Sequence, residues 1–217
     1  MTVADMPLLL GAAGKSSRMG SPKHLLDFHG KPWVLWQLER FAAAGGWRVL
    51  ILLPSHLPAE ESRSWLARAG MMGLSVKVLR QPRLDAPMSD SLRLAARWGV
   101  VEGVGGAFWL PIDVPAPASL LWRDLVADSD TRVCEAVVPL DGGHPVWLGR
   151  YTLQRLADAP GEGRRLDELL RELEWDGRLA RGRVEDPCCR LNVNTPEEWR
   201  DWVERSAGLT APAKDGA

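Results

Sequence analysis

Cysteine is scarce in this chain of 217 residues and badly spaced for structural work. Cys134, Cys188 and Cys189 form no C-x-x-C pair and no zinc-finger spacing, which argues against a disulfide framework or a structural zinc site. The expectation is a reducing, cytoplasmic setting. No run approaches the roughly 18 apolar residues that a membrane span needs. The apolar run 6–10 is preceded by Asp5 and by no Lys or Arg, unlike a secretory leader. Neither sign of charge dominates: 27 basic against 28 acidic residues leave a net −1, which gives no bulk attraction to nucleic acid. With 46% apolar residues the chain is also not disordered by composition. Lysine is rare, represented by Lys15, Lys23, Lys31, Lys77 and Lys214 alone, and the first three fall close together. Tryptophan is abundant instead, with 11 residues against three Phe and one Tyr, mostly in helical patterns where packing accounts for them.

The length suits one α/β domain, expected over 1–205, with 206–217 a frayed tail of Ala, Gly, Pro and Lys. A buried strand over 6–10 runs into Gly11-Ala12-Ala13-Gly14 and a polar loop reaching Lys23. Helices are expected at 33–44, 58–69, from Ser89 or Ser91 to 98, and at 118–126, 151–157, 166–173 and 196–205. Strands are expected at 47–53, 75–79, 107–112, up to Pro139, around Val146 and at 179–184. Strands alternating with helices of about ten residues imply βαβ units, hence a single doubly wound, mostly parallel sheet.

Ligands of such sheets bind beyond the carboxyl ends of the strands, and two segments there carry chemistry. The first is 11–23, whose small residues let backbone N–H groups turn inward while Arg18 and Lys23 add charge, a combination suited to polyphosphate. Gly14-Lys15-Ser16 imitates the end of a Walker A loop, but the frame would need glycine at position 9, where Leu9 stands. On composition alone, Gly14 and Gly20 could equally serve tight turns. The second segment is Pro111-Ile112-Asp113-Val114-Pro115, a carboxylate on a stiffened backbone at the end of an apolar strand. Such an Asp either holds a hard cation such as Mg²⁺ or caps the following helix. His144 beside Pro145 reads, from its residues alone, as a side chain satisfying a loop backbone; His24, His29 and His56 read as surface or loop residues; Cys188 and Cys189 read as buried small hydrophobes.

Together these segments resemble the nucleotidyltransferases that act on the molybdenum cofactor. Residues 11–23 are similar to their L-A-A-G-x-S-x-R-M-G-x-x-K signature and 111–115 to their P-x-D-x-P. Met88-Ser89-Asp90-Ser91-Leu92 resembles the G-M-x-x-S-L loop of the molybdopterin cytidylyltransferase branch, Gly143-His144-Pro145 its G-H-P, and 192–198 its (D/N)-V-(D/N)-T-P-E-(D/E); 161–166 echoes a G-D-x-G-x-R-x-L segment. Gly11 stands where the family has Leu, Pro87 where it has Gly, Glu162 where it has Asp, and Asn194 where many members have Asp.

The resemblance implies a Rossmann-like nucleotidyltransferase fold and Mg²⁺- or Mn²⁺-dependent transfer from an NTP to the terminal phosphate of molybdopterin, releasing pyrophosphate. It implies nucleotide binding by Ala12, Ala13, Gly14, Ser16, Arg18, Lys23, Ser89 and Ser91, and catalysis by Arg18, Lys23 and Asp113. It further implies a metal on Asp113 with Asn194 (or Asn192), the second substrate near His144, and a molybdoenzyme or its chaperone as downstream partner. CTP is favoured because Ala13 stands where the guanylyl branch carries glycine. The alternatives are a guanylyl or sugar-phosphate transferase of the same fold, and a catalytically silent nucleotide- or cofactor-binding protein.

Overall fold

A computed structural model describes residues 1–83, 85–129, 134–160 and 164–207. The tail beyond 207 and the 161–163 part of the glycine-arginine echo lie outside the described residues. In chain order the elements are β1 (Leu8–Gly11), β2 (Asp27–Phe28), β3 (Lys31–Pro32), α1 (Trp33–Ala43), β4 (Arg48–Pro54), α2 (Ala59–Met71), β5 (Ser75–Gln81), α3 (Met88–Val101) and β6 (Gly106–Pro111). They continue with α4 (Ser119–Ser129), β7 (Ala136–Val138), β8 (Val146–Gly149), α5 (Arg150–Ala157), α6 (Leu166–Trp175), β9 (Leu179–Arg181) and α7 (Pro196–Arg205).

Seven strands form one sheet in the order β5-β4-β1-β6-β8-β7-β9. All run parallel except β8, which pairs antiparallel with both β6 and β7. β1 and β6 are buried throughout, because helices cover both faces and every side chain must be apolar. Alternation sorts them: Leu8, Leu10, Phe108 and Leu110 face the layer containing Trp33, Phe41, Trp65 and Trp122, whereas Leu9, Ala107 and Trp109 face Leu92, Leu153 and Leu169. The mostly parallel sheet with helices on both faces is the Rossmann-like arrangement expected from the alternation of elements.

Four local expectations differ from what is found. The reversed β8 follows the Gly142-Gly143 turn, and both glycines have positive φ. The last strand ends at Arg181 rather than 184, because the buried carboxylate of Asp124 takes the N–H groups of Arg183 (2.6 Å) and Val184 (3.1 Å) out of the ladder. Helix α3 starts behind Pro87 with no side-chain cap, so neither Ser89 nor Ser91 caps it. The β2–β3 hairpin, turned by His29 (φ +51°) and Gly30 (φ +81°), carries too few residues to show a period.

Helix α7, in contrast, begins at the expected residue. Thr195 and Glu198 form a reciprocal capping box, Thr195 N–H donating to Glu198 Oε2 at 2.9 Å and Glu198 N–H to Thr195 Oγ1 at 3.2 Å. The helix docks through Trp199 and Trp202 onto Phe28, Trp33 and Trp36, with Trp199 edge-on to Trp33 at a centroid distance of 5.2 Å. No helix among the described residues is long and apolar enough to cross a membrane.

Candidate active site

Because β1 and β6 are parallel neighbours, their carboxyl ends lie side by side, with Gly11 opposite Pro111. After β1 the chain folds back on itself. Ala12 and Ala13 are buried, and Ala12 N–H extends the ladder to the carbonyl of Leu52 at 3.0 Å. Ser16 adopts φ +50°, its carbonyl accepts from Met19 N–H at 2.9 Å, and its hydroxyl accepts from Lys23 N–H at 3.2 Å. This leaves Gly14, Lys15, Ser16, Ser17, Arg18 and Lys23 along one wall of a cleft of about 240 Å³, with Asp113 and Asn194 opposite.

Lys23 lies at the centre of the charge arrangement. Its ammonium donates to Asn194 Oδ1 at 2.7 Å and lies 3.8 Å from Asp113 Oδ2. Burial holds its pKa below the ordinary lysine value; Asp113 pulls it back up and Arg18 pushes it down. Asp113 and Asn194 thus present hard oxygen donors to one positive group, a donor set that suits a small divalent cation retaining waters and nucleotide oxygens. No cluster of three or more His, Cys, Asp or Glu side chains able to hold a metal occurs among the described residues. Asn192 is exposed and away from the cleft lining, whereas Asn194 faces it.

The Asp113 loop is held from below by side chains to which the sequence gives no signal. Trp33 Nε1 donates to the Ile112 carbonyl at 2.7 Å. Fully buried Gln37 donates to the Val114 carbonyl at 2.8 Å and accepts from Ala116 N–H at 2.5 Å. Val193 N–H donates to the Asp113 carbonyl itself at 2.8 Å. Replacing Gln37 by Leu leaves one donor and one acceptor of this loop buried without partners, at roughly 1–3 kcal/mol each. Chemical denaturation of Gln37→Leu is therefore expected to show a loss of about 2 kcal/mol or more, together with reduced turnover; wild-type stability and turnover would show that the loop is held without it.

A second pocket of about 550 Å³ adjoins the cleft, with Met88 lining both. Ser89, Trp109, His144 and Arg165 are among its walls. The chain reaches His144 through Gly143, at φ +88°, where a β-carbon would collide with the Cys189 carbonyl; that carbonyl accepts from His144 N–H at 2.8 Å. Burial drives the His144 imidazole down to about 4, against the opposing pull of Asp113 and the Trp109 carbonyl, so the ring is neutral at pH 7. Its Nδ1 has no hydrogen-bond partner among the described residues.

The other candidates fall elsewhere. Ser91 is buried on α3, 3.5 Å from Gln81 Nε2, and lines neither cavity. His24, expected to be a surface or loop residue, is buried, and burial with the nearby charge of Arg80 lowers its pKa to about 4. Cys188 and Cys189 are buried as expected, and burial pushes the Cys188 thiol up to about 12. Lys15 and Ser17, set aside as variable positions of the signature, line the cleft; only the folding back of the loop around Ser16 brings them there.

The chain is similar to several proteins of known structure. Rv0371c from Mycobacterium tuberculosis H37Rv is 26% identical, with a TM-score of 0.68 over 94% of this chain and 100% of that one. It has also been solved in complex with manganese. A Methanothermobacter nucleotidyl transferase is 21% identical, with a TM-score of 0.69 over 93% of this chain and 98% of that one. A cytidylyltransferase from Leptospira borgpetersenii is 15% identical, with a TM-score of 0.68 over 95% and 88%. The last two likenesses establish fold alone. No curated protein sequence matches the chain. The MobA-like NTP transferase domain matches residues 5–177, most of the chain, and includes both the 11–23 loop and Asp113. The chain therefore belongs to the MobA-like NTP transferase family and is a nucleotidyltransferase of that type.

Proposed function

We propose that residues 1–205 act as one catalytic domain that transfers a cytidylyl group from CTP to the terminal phosphate of molybdopterin, with Mg²⁺ or Mn²⁺, releasing pyrophosphate. The observation that carries this reading is the convergence of Arg18, Lys23, Asp113 and Asn194 on one cleft that shares Met88 with a separate, larger pocket holding His144. A phosphomonoester oxygen forms a bond to the α-phosphorus as the bond to the bridging oxygen of pyrophosphate breaks. No covalent enzyme intermediate is needed, so the protein contributes position and positive charge.

Arg18 is exposed on the rim, free to fork onto the departing phosphates. Lys23, fixed between Asp113 and Asn194, meets charge developing at the α-phosphate. A divalent cation bound by Asp113 and Asn194 would polarise the phosphoryl oxygens. Neutral His144 and Ser89 line the pocket assigned to the acceptor. The manganese complex of the mycobacterial relative supports the divalent ion as a class. The preference for CTP rests on Ala13, a buried residue at the position where the guanylyl branch carries glycine, its methyl group restricting the backbone there.

The test is a panel of the four common NTPs with molybdopterin, following pyrophosphate release. CTP is expected to turn over at least about tenfold faster than GTP, corresponding to roughly 1.4 kcal/mol of discrimination. Equal or faster turnover with GTP would overturn the nucleotide assignment, and no turnover with molybdopterin under any NTP would overturn the acceptor.

A further inference from the structure

Asn194 enters the cleft from a short strap whose backbone donors are all committed, and one carboxylate takes two of them. Glu198 Oε2 accepts from Thr195 N–H at 2.9 Å, as a capping box requires, but its shorter bond, 2.7 Å, comes from Asn194 N–H, one residue outside the box. Capping α7 does not call for that second bond. On the other side, Val193 N–H donates to the Asp113 carbonyl at 2.8 Å, so the strap 193–195 is tied at one end to the Asp113 loop and at the other to α7. Both ties lead back to Trp33. Its Nε1 donates to the carbonyl of Ile112, beside Asp113, and its ring meets Trp199, beside Glu198, edge-on at 5.2 Å. The two oxygen donors that face Lys23 therefore hang on one frame.

Glu198 is itself exposed and does not line the cleft, so any effect it has on the site passes through Asn194. Asn194 is half-buried, and without the carboxylate its N–H would turn to water. The backbone that aims Oδ1 at Lys23 would then be free to rotate. Resting on the assignment of the divalent ion to Asp113 and Asn194 above, we propose that Glu198 is a positioning residue of this site, holding Asn194 in the orientation in which it meets Lys23 and the cation. Outer partners of this kind are worth about 10–100-fold in metal affinity or activity, because they fix the direction of the donor atom.

Glu198→Ala, Glu198→Gln, Thr195→Ala, Asn194→Ala and the double variant Glu198→Ala/Asn194→Ala are compared with wild type. Thermal unfolding, Mn²⁺ affinity by electron paramagnetic resonance in the presence of CTP or GTP, and kcat for pyrophosphate release with molybdopterin are the readouts. Thr195→Ala breaks the other half of the capping box, where Thr195 Oγ1 accepts from Glu198 N–H, and so measures capping alone. It should lower Tm by about 2–4 °C and leave Mn²⁺ affinity close to wild type. Glu198→Ala should be no less stable than Thr195→Ala, yet weaken Mn²⁺ by about tenfold and lower kcat with it. Glu198→Gln, which keeps an acceptor oxygen, should recover most of that loss. In the Asn194→Ala background, Glu198→Ala should cost nothing further. Equal loss of Mn²⁺ affinity in Thr195→Ala would reduce Glu198 to a helix cap and overturn the proposal. So would a Glu198→Gln as poor as Glu198→Ala, which would make charge the cause, additive losses in the double variant, or a Glu198→Ala that matches wild type in both affinity and kcat. If Asn194→Ala and Glu198→Ala lower kcat non-additively while Mn²⁺ affinity is unchanged in both, the positioning role stands through Lys23 and Asn194 leaves the metal site.

Discussion

Asp113→Ala is expected to lower kcat by about 10²-fold or more while leaving the unfolding midpoint within a few degrees of wild type, because fixed charge aimed at a phosphoryl transition state supplies several kcal/mol. The fold should tolerate the change. The Asp113 side chain has intermediate exposure, and the loop is held by its backbone through Trp33, Gln37 and Val193 rather than by the carboxylate. What the variant loses is the anionic side of the cleft, which keeps Lys23 in place and would bind the cation. Dependence of turnover on Mg²⁺ should shift to higher concentrations in parallel with the fall in kcat. Activity near wild type at ordinary Mg²⁺ would remove Asp113 from the mechanism.

Lys23→Met should fall by a similar factor, about 10²-fold in kcat, with a smaller rise in the KM for nucleotide. Methionine keeps most of the length and volume, so the substitution isolates the charge. The ammonium is half-buried and touches two groups of the opposite wall, so its contribution is not screened as a rim cation would be. Arg18→Lys should lose about tenfold despite its conserved charge, since one ammonium cannot reproduce two parallel hydrogen bonds to phosphate. Lys15→Ala is the control. Lys15 lines the same cleft but is exposed, and no more than roughly a threefold change is expected, in line with the small worth of solvated charges. If Lys15→Ala abolished nucleotide binding while Lys23→Met left turnover intact, the loop would be working as a Walker-type frame instead.

The residues that gather in this cleft were legible in the sequence because each follows a strand whose apolar run is unmistakable, or sits behind a strong helix signal. The loop 12–23 follows β1, Asp113 follows β6, and Asn194 precedes a Thr-Pro-Glu-Glu start that can hardly be anything but a helix N-terminus. Parallel neighbouring strands then bring the first two together. What the sequence hid is of another kind. Gln37 lies in the middle of a helix with nothing around it to mark it as polar support for a loop about 77 residues away, and only packing turns it inward. The reversal of β8 follows two glycines and involves a strand of four residues, too few for a periodic signal. Ser91 illustrates the opposite error: a motif match put it on the nucleotide, but helical geometry turns it toward Gln81 and away from the cleft.

The family match ends at residue 177, yet Asn194 comes from beyond it, on a segment fastened by the tryptophans of α7 to the β2–β3 hairpin and α1. The ordering of synthesis follows from this. A nascent chain can lay down the sheet and the phosphate loop while Lys23 still has Asp113 alone for a partner, and Phe28, Trp33 and Trp36 lack their cover. Docking of the final helix shields that aromatic cluster and closes the far wall of the cleft in the same event. Covering this apolar patch and setting Asn194 against Lys23 are thereby the work of one C-terminal segment.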